Sequence, residues 1–236
     1  MKYYLLSGMD ESYNFYENIA DRFRKELKGF DTIIYIPTYP ENKEKCIKLS
    51  KSEKFKNIGI NFNRSIVLDY SYSFEEIKNI IDENELIFLY GGDPYKQMKF
   101  VKEYGIRDLI KDKTIIGLSA GSINMCKKAI CTKDEDFEES NMYNGMGLID
   151  FSVEPHFNIN NTEVLKDLKI FSQYTDIYAL EDDAYIIVEN NKLNFYRKCL
   201  LYKKWKYRKK RVTSQGYSLK DIILKLINII WRNYKD

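Results

Sequence analysis

Apolar segments of strand length alternate with helix-length segments along most of the chain, and this alternation limits the fold more than any other feature. The clearest strand pattern is at 86–90, a continuous apolar run typical of a strand covered on both faces. Residues 13–27 instead place apolar and aromatic side chains at helical spacing. Such alternation predicts an α/β fold, a mostly parallel sheet flanked by helices on both faces in a three-layer sandwich.

The remaining patterns extend this layout to both ends of the chain. Further strands are predicted at 2–7, 31–36, 58–60, 65–68, 114–116, 177–180, 184–188 and 193–196, and further helices at 41–56, 74–81 and 120 to about 130. The acidic segment 132–139 has no strong periodicity and is predicted to be a surface loop. In such sheets ligands bind beyond the carboxyl ends of the strands.

Charge divides the chain into two parts. Residues 203–236 contain 11 basic and 2 acidic residues, which gives +9, whereas residues 1–202 contain 27 basic and 33 acidic residues, which gives -6. We therefore predict one domain at 1–202 and a basic extension at 203–236. This extension is interpreted either as a binding segment for an anionic partner or as a solvated amphipathic helix. The apolar stripe at 219–231 favours a core or homo-oligomer contact over a membrane anchor.

Composition excludes several classes of protein. Charged residues make up 31% of the chain, its mean hydropathy is -0.49, and no apolar run approaches the roughly 20 residues of a membrane span. The apolar part of the N-terminus is too short for a signal peptide, so we expect a cytoplasmic protein. One histidine and four scattered cysteines, which we expect to be reduced thiols, do not form a usual transition-metal site, and we expect no metal or organic cofactor.

A serine between two glycines follows the apolar run at 114–116, in the segment Gly117-Leu118-Ser119-Ala120-Gly121. This pattern is typical of a nucleophile elbow, a tight turn from a strand into a helix that exposes the serine hydroxyl. The amides at the start of the following helix then point toward a developing oxyanion. The alternative for these five residues alone is an ordinary loop.

A serine hydroxyl needs a neighbouring base, and His156 is the only histidine in the chain. It follows Pro155 after a predicted strand end, although a lone histidine is often structural. The carboxylate that would orient it is sought in the acidic loop, among Asp134, Glu135, Asp136, Glu138 and Glu139.

Gly91-Gly92 ends the strand at 86–90, so one of its amides is expected to face Ser119 across the sheet edge. An ordinary strand-to-helix turn is the alternative.

Three motifs in order resemble the dipeptidase E family of serine peptidases, which includes cyanophycinase and has the class I glutamine amidotransferase-like fold. They are Tyr90-Gly91-Gly92-Asp93-Pro94, the serine segment at 117–124, and Gly147-Leu148 followed by Pro155-His156-Phe157. The likeness runs from residue 1 to about 196.

The resemblance implies a triad with Ser119 as nucleophile and His156 as base, 37 residues apart. The implied acid is Asp134 if the spacing from the serine is kept, Glu135 if residues 130–132 are matched, and Glu138 by analogy with cyanophycinase. The implied oxyanion hole consists of the amides of Gly92 and Ala120.

The chain also departs from the family pattern. The family usually has three glycines followed by Asn-Thr, whereas here Tyr90 precedes the two glycines and Asp93-Pro94 follows them. We identify no arginine or lysine for the cationic pocket that aspartyl specificity requires. Glu181-Asp182-Asp183 falls where the family has a turn near the site, and it either favours a substrate amine or only terminates a strand.

The sequence therefore predicts a serine peptidase that hydrolyses small peptides through an acyl-enzyme. The alternative is a non-catalytic ligand-binding or regulatory protein on the same fold. An ordinary α/β-hydrolase esterase is disfavoured because 37 residues between serine and histidine leave little room for the elements that normally separate them.

Overall fold

The computed structural model describes residues 1–133, 137–190, 192–203 and 210–212. Within these ranges the helices are α1 (Glu17–Glu26), α2 (Lys43–Ser50), α3 (Lys54–Asn57), α4 (Phe74–Asp82), α5 (Pro94–Glu103), α6 (Ile106–Ile110), α7 (Ala120–Met125) and α8 (Thr162–Phe171). The strands are β1 (Lys2–Leu6), β2 (Thr32–Ile36), β3 (Arg64–Val67), β4 (Leu86–Leu89), β5 (Thr114–Leu118), β6 (Lys128–Cys131), β7 (Asn141–Asn144), β8 (Ser152–Glu154), β9 (Ile177–Leu180), β10 (Tyr185–Glu189), β11 (Lys192–Tyr196), β12 (Cys199–Tyr202) and β13 (Lys210–Val212).

A seven-stranded sheet forms the centre of the fold, in the order β11-β10-β1-β5-β4-β2-β3. The five strands from β1 to β3 in this order are parallel, and β10 and β11 add an antiparallel edge. In the register of the two central strands Leu6 pairs with Leu118, so β1 and β5 end side by side. The prediction of a mostly parallel α/β sheet is confirmed.

Alternate residues of the central strands pack into two separate cores, one on each face of the sheet. In β1, Tyr3 and Leu5 join the core with α4 to α7, whereas Tyr4 and Leu6 join the core with α1 to α3. Every residue of β4 is buried, as its continuous apolar sequence predicts, so both faces of this strand must be covered by a core. The helices therefore cover both faces, and the predicted three-layer arrangement is confirmed.

A second sheet has the order β13-β12-β9-β8, and hydrogen bonds from Ser7 to Leu180 and from Gly8 to Asp182 connect the end of β9 with the end of β1. Strands β8 and β9 are parallel, with Glu154 opposite Ala179, and α8 packs on this sheet through Val164 and Leu168. A separate hairpin joins β6 to β7. These additions supply two of the chain segments that form the site described below.

Several local predictions were wrong. The helix predicted to run to about residue 130 ends at Met125, because Cys126 is extended and residues 128–131 pair with β7. The predicted helix at 41–56 is divided into α2 and α3, and 58–60 contributes buried side chains rather than a strand. The sequence patterns also did not predict α5 or α8, whereas residues 132–133 and 137–139 of the acidic segment lie outside helices and strands, as expected for a loop.

The amphipathic stretch at 219–231 lies outside the described residues, as do 204–209 and 213–218. Residues 210–212 of the predicted extension form β13 and pair with Cys199–Leu201. The division of the chain at residue 202 stays a prediction. Among the described residues no helix has the length and apolar character required to cross a membrane.

Candidate active site

Ser119 stands at a strained turn between β5 and α7. Its backbone has φ 48° and ψ -110°, a region that residues with a side chain seldom adopt, and such strain is concentrated at functional sites. The turn depends on Gly121, where a Cβ atom would lie 2.1 Å from the carbonyl oxygen of Leu89. The amide of Ser119 donates to the carbonyl oxygen of Leu6 at 3.0 Å, which anchors the turn to β1. The geometry is that of a nucleophile elbow.

His156 follows β8 and also has a left-handed backbone, with φ 54°. Two hydrogen bonds hold it there: its own amide donates to Ser7 Oγ at 2.8 Å, and the Phe157 amide donates to the Leu180 carbonyl at 2.9 Å. Ser7 Oγ in turn donates to the same carbonyl at 3.0 Å, and Ser7 is fully buried. In this position His156 Nε2 lies 2.9 Å from Ser119 Oγ. The imidazole can therefore accept the serine proton.

Asp182 is the carboxylate that contacts the other nitrogen of the imidazole. Its Oδ1 lies 2.5 Å from His156 Nδ1, and the Gly8 amide donates to its backbone carbonyl at 3.0 Å. Both the His156 and Asp182 side chains are more than half exposed, at 55% and 57%. A carboxylate on Nδ1 fixes the proton on that nitrogen and leaves Nε2 free to act as a base.

The four residues of the site described so far, Ser7, Ser119, His156 and Asp182, each lie just beyond the end of a strand. Ser7 follows β1 and Ser119 follows β5, which are parallel partners. His156 and Asp182 each lie two residues beyond the end of β8 and β9, which are parallel partners in the second sheet. The site thus lies at the carboxyl edge where the two sheets meet.

The acids proposed from the sequence belong to the loop at 132–139, which the structure describes only in part. Asp134 and Glu135, with Asp136, lie outside the described residues, and Glu138 is exposed and does not line the cavity beside Ser119. The turn at 181–183 was considered only for a substrate amine or for ending a strand. The parallel pairing of β8 with β9 brings Asp182 beside His156, and no sequence pattern indicates this pairing.

A cavity of about 370 Å³ opens beside Ser119 and His156. It is lined also by Gly92 and Ala120, whose amides were predicted to form an oxyanion hole. In the described part of the chain neither amide donates to a protein acceptor. Both are therefore available to a substrate oxygen.

The charges around the site differ in burial. Asp183 and Glu181, next to Asp182, pair at 3.5 Å with Arg197 and at 3.0 Å with Lys198. Glu154 lines the cavity, is only 5% exposed, and its Oε1 accepts from Thr132 Oγ1 at 2.5 Å. Glu154 is thus the buried carboxylate among these, whereas Glu181 and Asp183 each pair with a basic side chain.

The cysteines take no part in a disulfide. All four are buried thiols, and burial raises the pKa of Cys46 to about 11 and that of Cys126 and Cys199 to about 12. Among the described residues no group of three or more His, Cys, Asp or Glu side chains is arranged to hold a metal ion.

The family model of peptidase family S51 matches residues 4–196. The chain belongs to this family. It is therefore a serine peptidase, as the sequence motifs predicted. No curated protein matches the chain.

Two solved structures have a fold similar to that of this chain. One is a candidate peptidase E protein from Listeria monocytogenes EGD-e, with 24% identity and a TM-score of 0.62, covering 83% of this chain and 98% of that one. The other is a peptidase from an acI-B1 Actinobacterium, with 15% identity and a TM-score of 0.65, covering 92% of this chain and 96% of that one. At these identities the likeness is one of fold.

Proposed function

We propose that the chain hydrolyses small peptides through a triad of Ser119, His156 and Asp182. Ser119 Oγ attacks the peptide carbonyl while His156 Nε2 takes its proton. The amides of Gly92 and Ala120 hold the oxyanion of the tetrahedral intermediate. The protonated imidazole then donates to the departing amine, and a water molecule activated by His156 hydrolyses the acyl-enzyme and restores the serine.

The observation that carries this proposal is the continuous chain of contacts from serine to carboxylate. Ser119 Oγ lies 2.9 Å from Nε2, and Nδ1 lies 2.5 Å from Asp182 Oδ1, both within hydrogen-bonding distance. The positive φ values of Ser119 and His156 support the proposal. Strained backbone lowers the stability of the fold, and it is concentrated at sites where the strained geometry serves a function. The non-catalytic alternative gives no reason for this arrangement.

The size of the cavity supports a small substrate. A volume of about 370 Å³ is at the lower end of ligand pockets, which are roughly 300–1,000 Å³, and suits a side chain with its adjoining peptide unit. We therefore infer that short peptides are the substrates. The cytoplasmic location, homo-oligomer and anionic partner of the basic extension remain predictions.

The test is a peptide-hydrolysis screen with Ser119→Ala and a matched control, Ser122→Ala. Ser122 is three residues further along α7, is fully buried, and contacts the carbonyls of Leu6 and Gly117 at 2.8 Å. Turnover should vanish in Ser119→Ala, with unchanged circular dichroism, and persist in any Ser122→Ala protein that folds. Full activity in Ser119→Ala would refute the assignment.

A further inference from the structure

The cavity beside Ser119 contains charged groups on its wall, and their burial differs. Glu154 is 5% exposed, whereas Lys133, the only lysine or arginine among the described lining residues, is exposed. A charge in water is screened, but a carboxylate beside a low-dielectric cavity acts strongly on whatever enters. Among the described lining residues, Glu154 is therefore the charged side chain least screened by water.

We propose that Glu154 makes this cavity selective for a positively charged group of the substrate, an ammonium or guanidinium. The proposal rests on the proposed function, because it takes the cavity beside Ser119 as the substrate site. A cationic group that enters the cavity exchanges its water for a charge-assisted hydrogen bond to a carboxylate already in place. An anionic group would face the same carboxylate without screening by water.

The position of Glu154 links this preference to the reacting groups. It is the last residue of β8, two residues before His156, and both line the same cavity. Its Oε1 accepts from Thr132 Oγ1 at 2.5 Å, and Thr132 also lines the cavity. This contact restricts the rotamers of the carboxylate, which holds its charge at a defined point on the cavity wall.

A purely structural role for Glu154 makes a different prediction. If it only tied Thr132 to β8, Glu154→Gln would leave the selectivity unchanged, because the amide oxygen still accepts from the hydroxyl. The substitution keeps the size of the side chain and removes its charge. It therefore separates the recognition of charge from the contact with Thr132.

The experiment measures binding by calorimetry in a Ser119→Ala background, so that no peptide is consumed. The probes are four dipeptide amides: norleucyl-glycinamide, with only an α-ammonium; acetyl-lysyl-glycinamide, with only a side-chain ammonium; acetyl-norleucyl-glycinamide, which is neutral; and acetyl-glutamyl-glycinamide, which is anionic. The first two distinguish the sources of the positive charge. The same set is measured with Glu154→Gln and with Lys133→Gln as the matched control.

We expect at least one cationic peptide to bind about tenfold or more tightly than the neutral one, as a charged hydrogen bond provides. This preference should fall to about threefold or less in Glu154→Gln and persist in Lys133→Gln. Equal binding of cationic and neutral peptides, a preference that survives Glu154→Gln, or no binding of any peptide would overturn the proposal. Tightest binding of the glutamyl peptide, lost in Lys133→Gln, would overturn it in favour of Lys133.

The peptide comparison in Ser119→Ala alone can overturn the proposal, so it does not depend on the folding of Glu154→Gln. Fluorophosphonate labelling of the protein with Ser119 intact is measured separately. Charge-selective binding without labelling would reject the hydrolase mechanism and leave the role of Glu154 standing. Labelling without charge-selective binding would support the hydrolase mechanism and reject the role proposed for Glu154.

Discussion

The Nδ1 atom of His156 lies 2.5 Å from Oδ1 of Asp182, 26 residues further along the chain. The two residues occupy equivalent positions after parallel neighbouring strands, β8 and β9. Their contact therefore follows from the pairing of strands in the second sheet.

Asp182→Asn should lower kcat by about a thousandfold or more, because an amide favours the wrong imidazole tautomer and does not stabilise the imidazolium. Asp183→Asn is the matched control, since that carboxylate pairs with Arg197 at 3.5 Å. Peptide turnover of both variants checks the prediction. If Asp182→Asn retains near-normal kcat while Asp134→Asn, Glu135→Gln or Glu138→Gln loses it, the acid lies in the loop.

Ser7→Ala should lower both stability and kcat. The substitution leaves the His156 amide without its acceptor and the Leu180 carbonyl without one donor, at a cost of about 1–3 kcal/mol in the free energy of unfolding. His156 then shifts relative to Ser119, so kcat should fall about tenfold with little change in KM. Urea unfolding and steady-state kinetics measure the two effects.

Ser152→Ala is the control for Ser7→Ala. Ser152 is also fully buried and donates to the Lys128 carbonyl at 2.5 Å, away from His156. It should lose similar stability and keep its kcat. An equal fall of kcat in both variants would mean that Ser7 acts only through global stability.

Gly8→Ala should reduce activity by displacing the histidine and its carboxylate. A Cβ at Gly8 would lie 2.9 Å from Asp182 Oδ1 and 3.2 Å from His156 Cε1, so these side chains must move by a few tenths of an ångström or more. We expect a loss of kcat of about ten- to a hundredfold. Gly29→Ala, where a Cβ would meet nothing within 4 Å, should be neutral. Equal activity of the two variants would contradict the packing around His156.

The free energy of unfolding should fall as the pH rises above about 9. Burial raises the pKa of Cys126 and Cys199 from 9.0 to about 12, so the unfolded chain loses these protons first. The stabilisation is fully present below pH 9 and is lost between pH 9 and about 12. Urea midpoints measured from pH 8 to 10.5 should decrease. A constant midpoint over this range would mean that both thiols ionise as readily in the folded protein.

The central sheet could be predicted because its strands carry their burial in their own sequence. In β4 every residue is apolar, and the glycine on each side of Ser119 marks the elbow at the end of β5. Ser119 and His156 were candidates for the same local reason, a serine in a turn motif and a sole histidine after a strand.

The position of Asp182 and the end of helix α7 depend instead on contacts between segments that are distant in the sequence. Asp182 is adjacent to His156 because β8 pairs in parallel with β9, and no spacing in the sequence records this pairing. Helix α7 stops at Met125 because the next residues pair with Asn141–Asn144, a polar stretch that shows no strand pattern. Such pairings override local propensity.

Fluorophosphonate labelling of the intact protein tests the central claim most directly, with mass spectrometry to locate the modified residue and with His156→Ala and Asp182→Asn compared. The triad predicts label on Ser119 that is lost in His156→Ala and strongly slowed in Asp182→Asn, because the hydroxyl is a nucleophile only when the oriented imidazole accepts its proton. Label on another residue, or labelling of Ser119 at the same rate in all three proteins, would contradict the account.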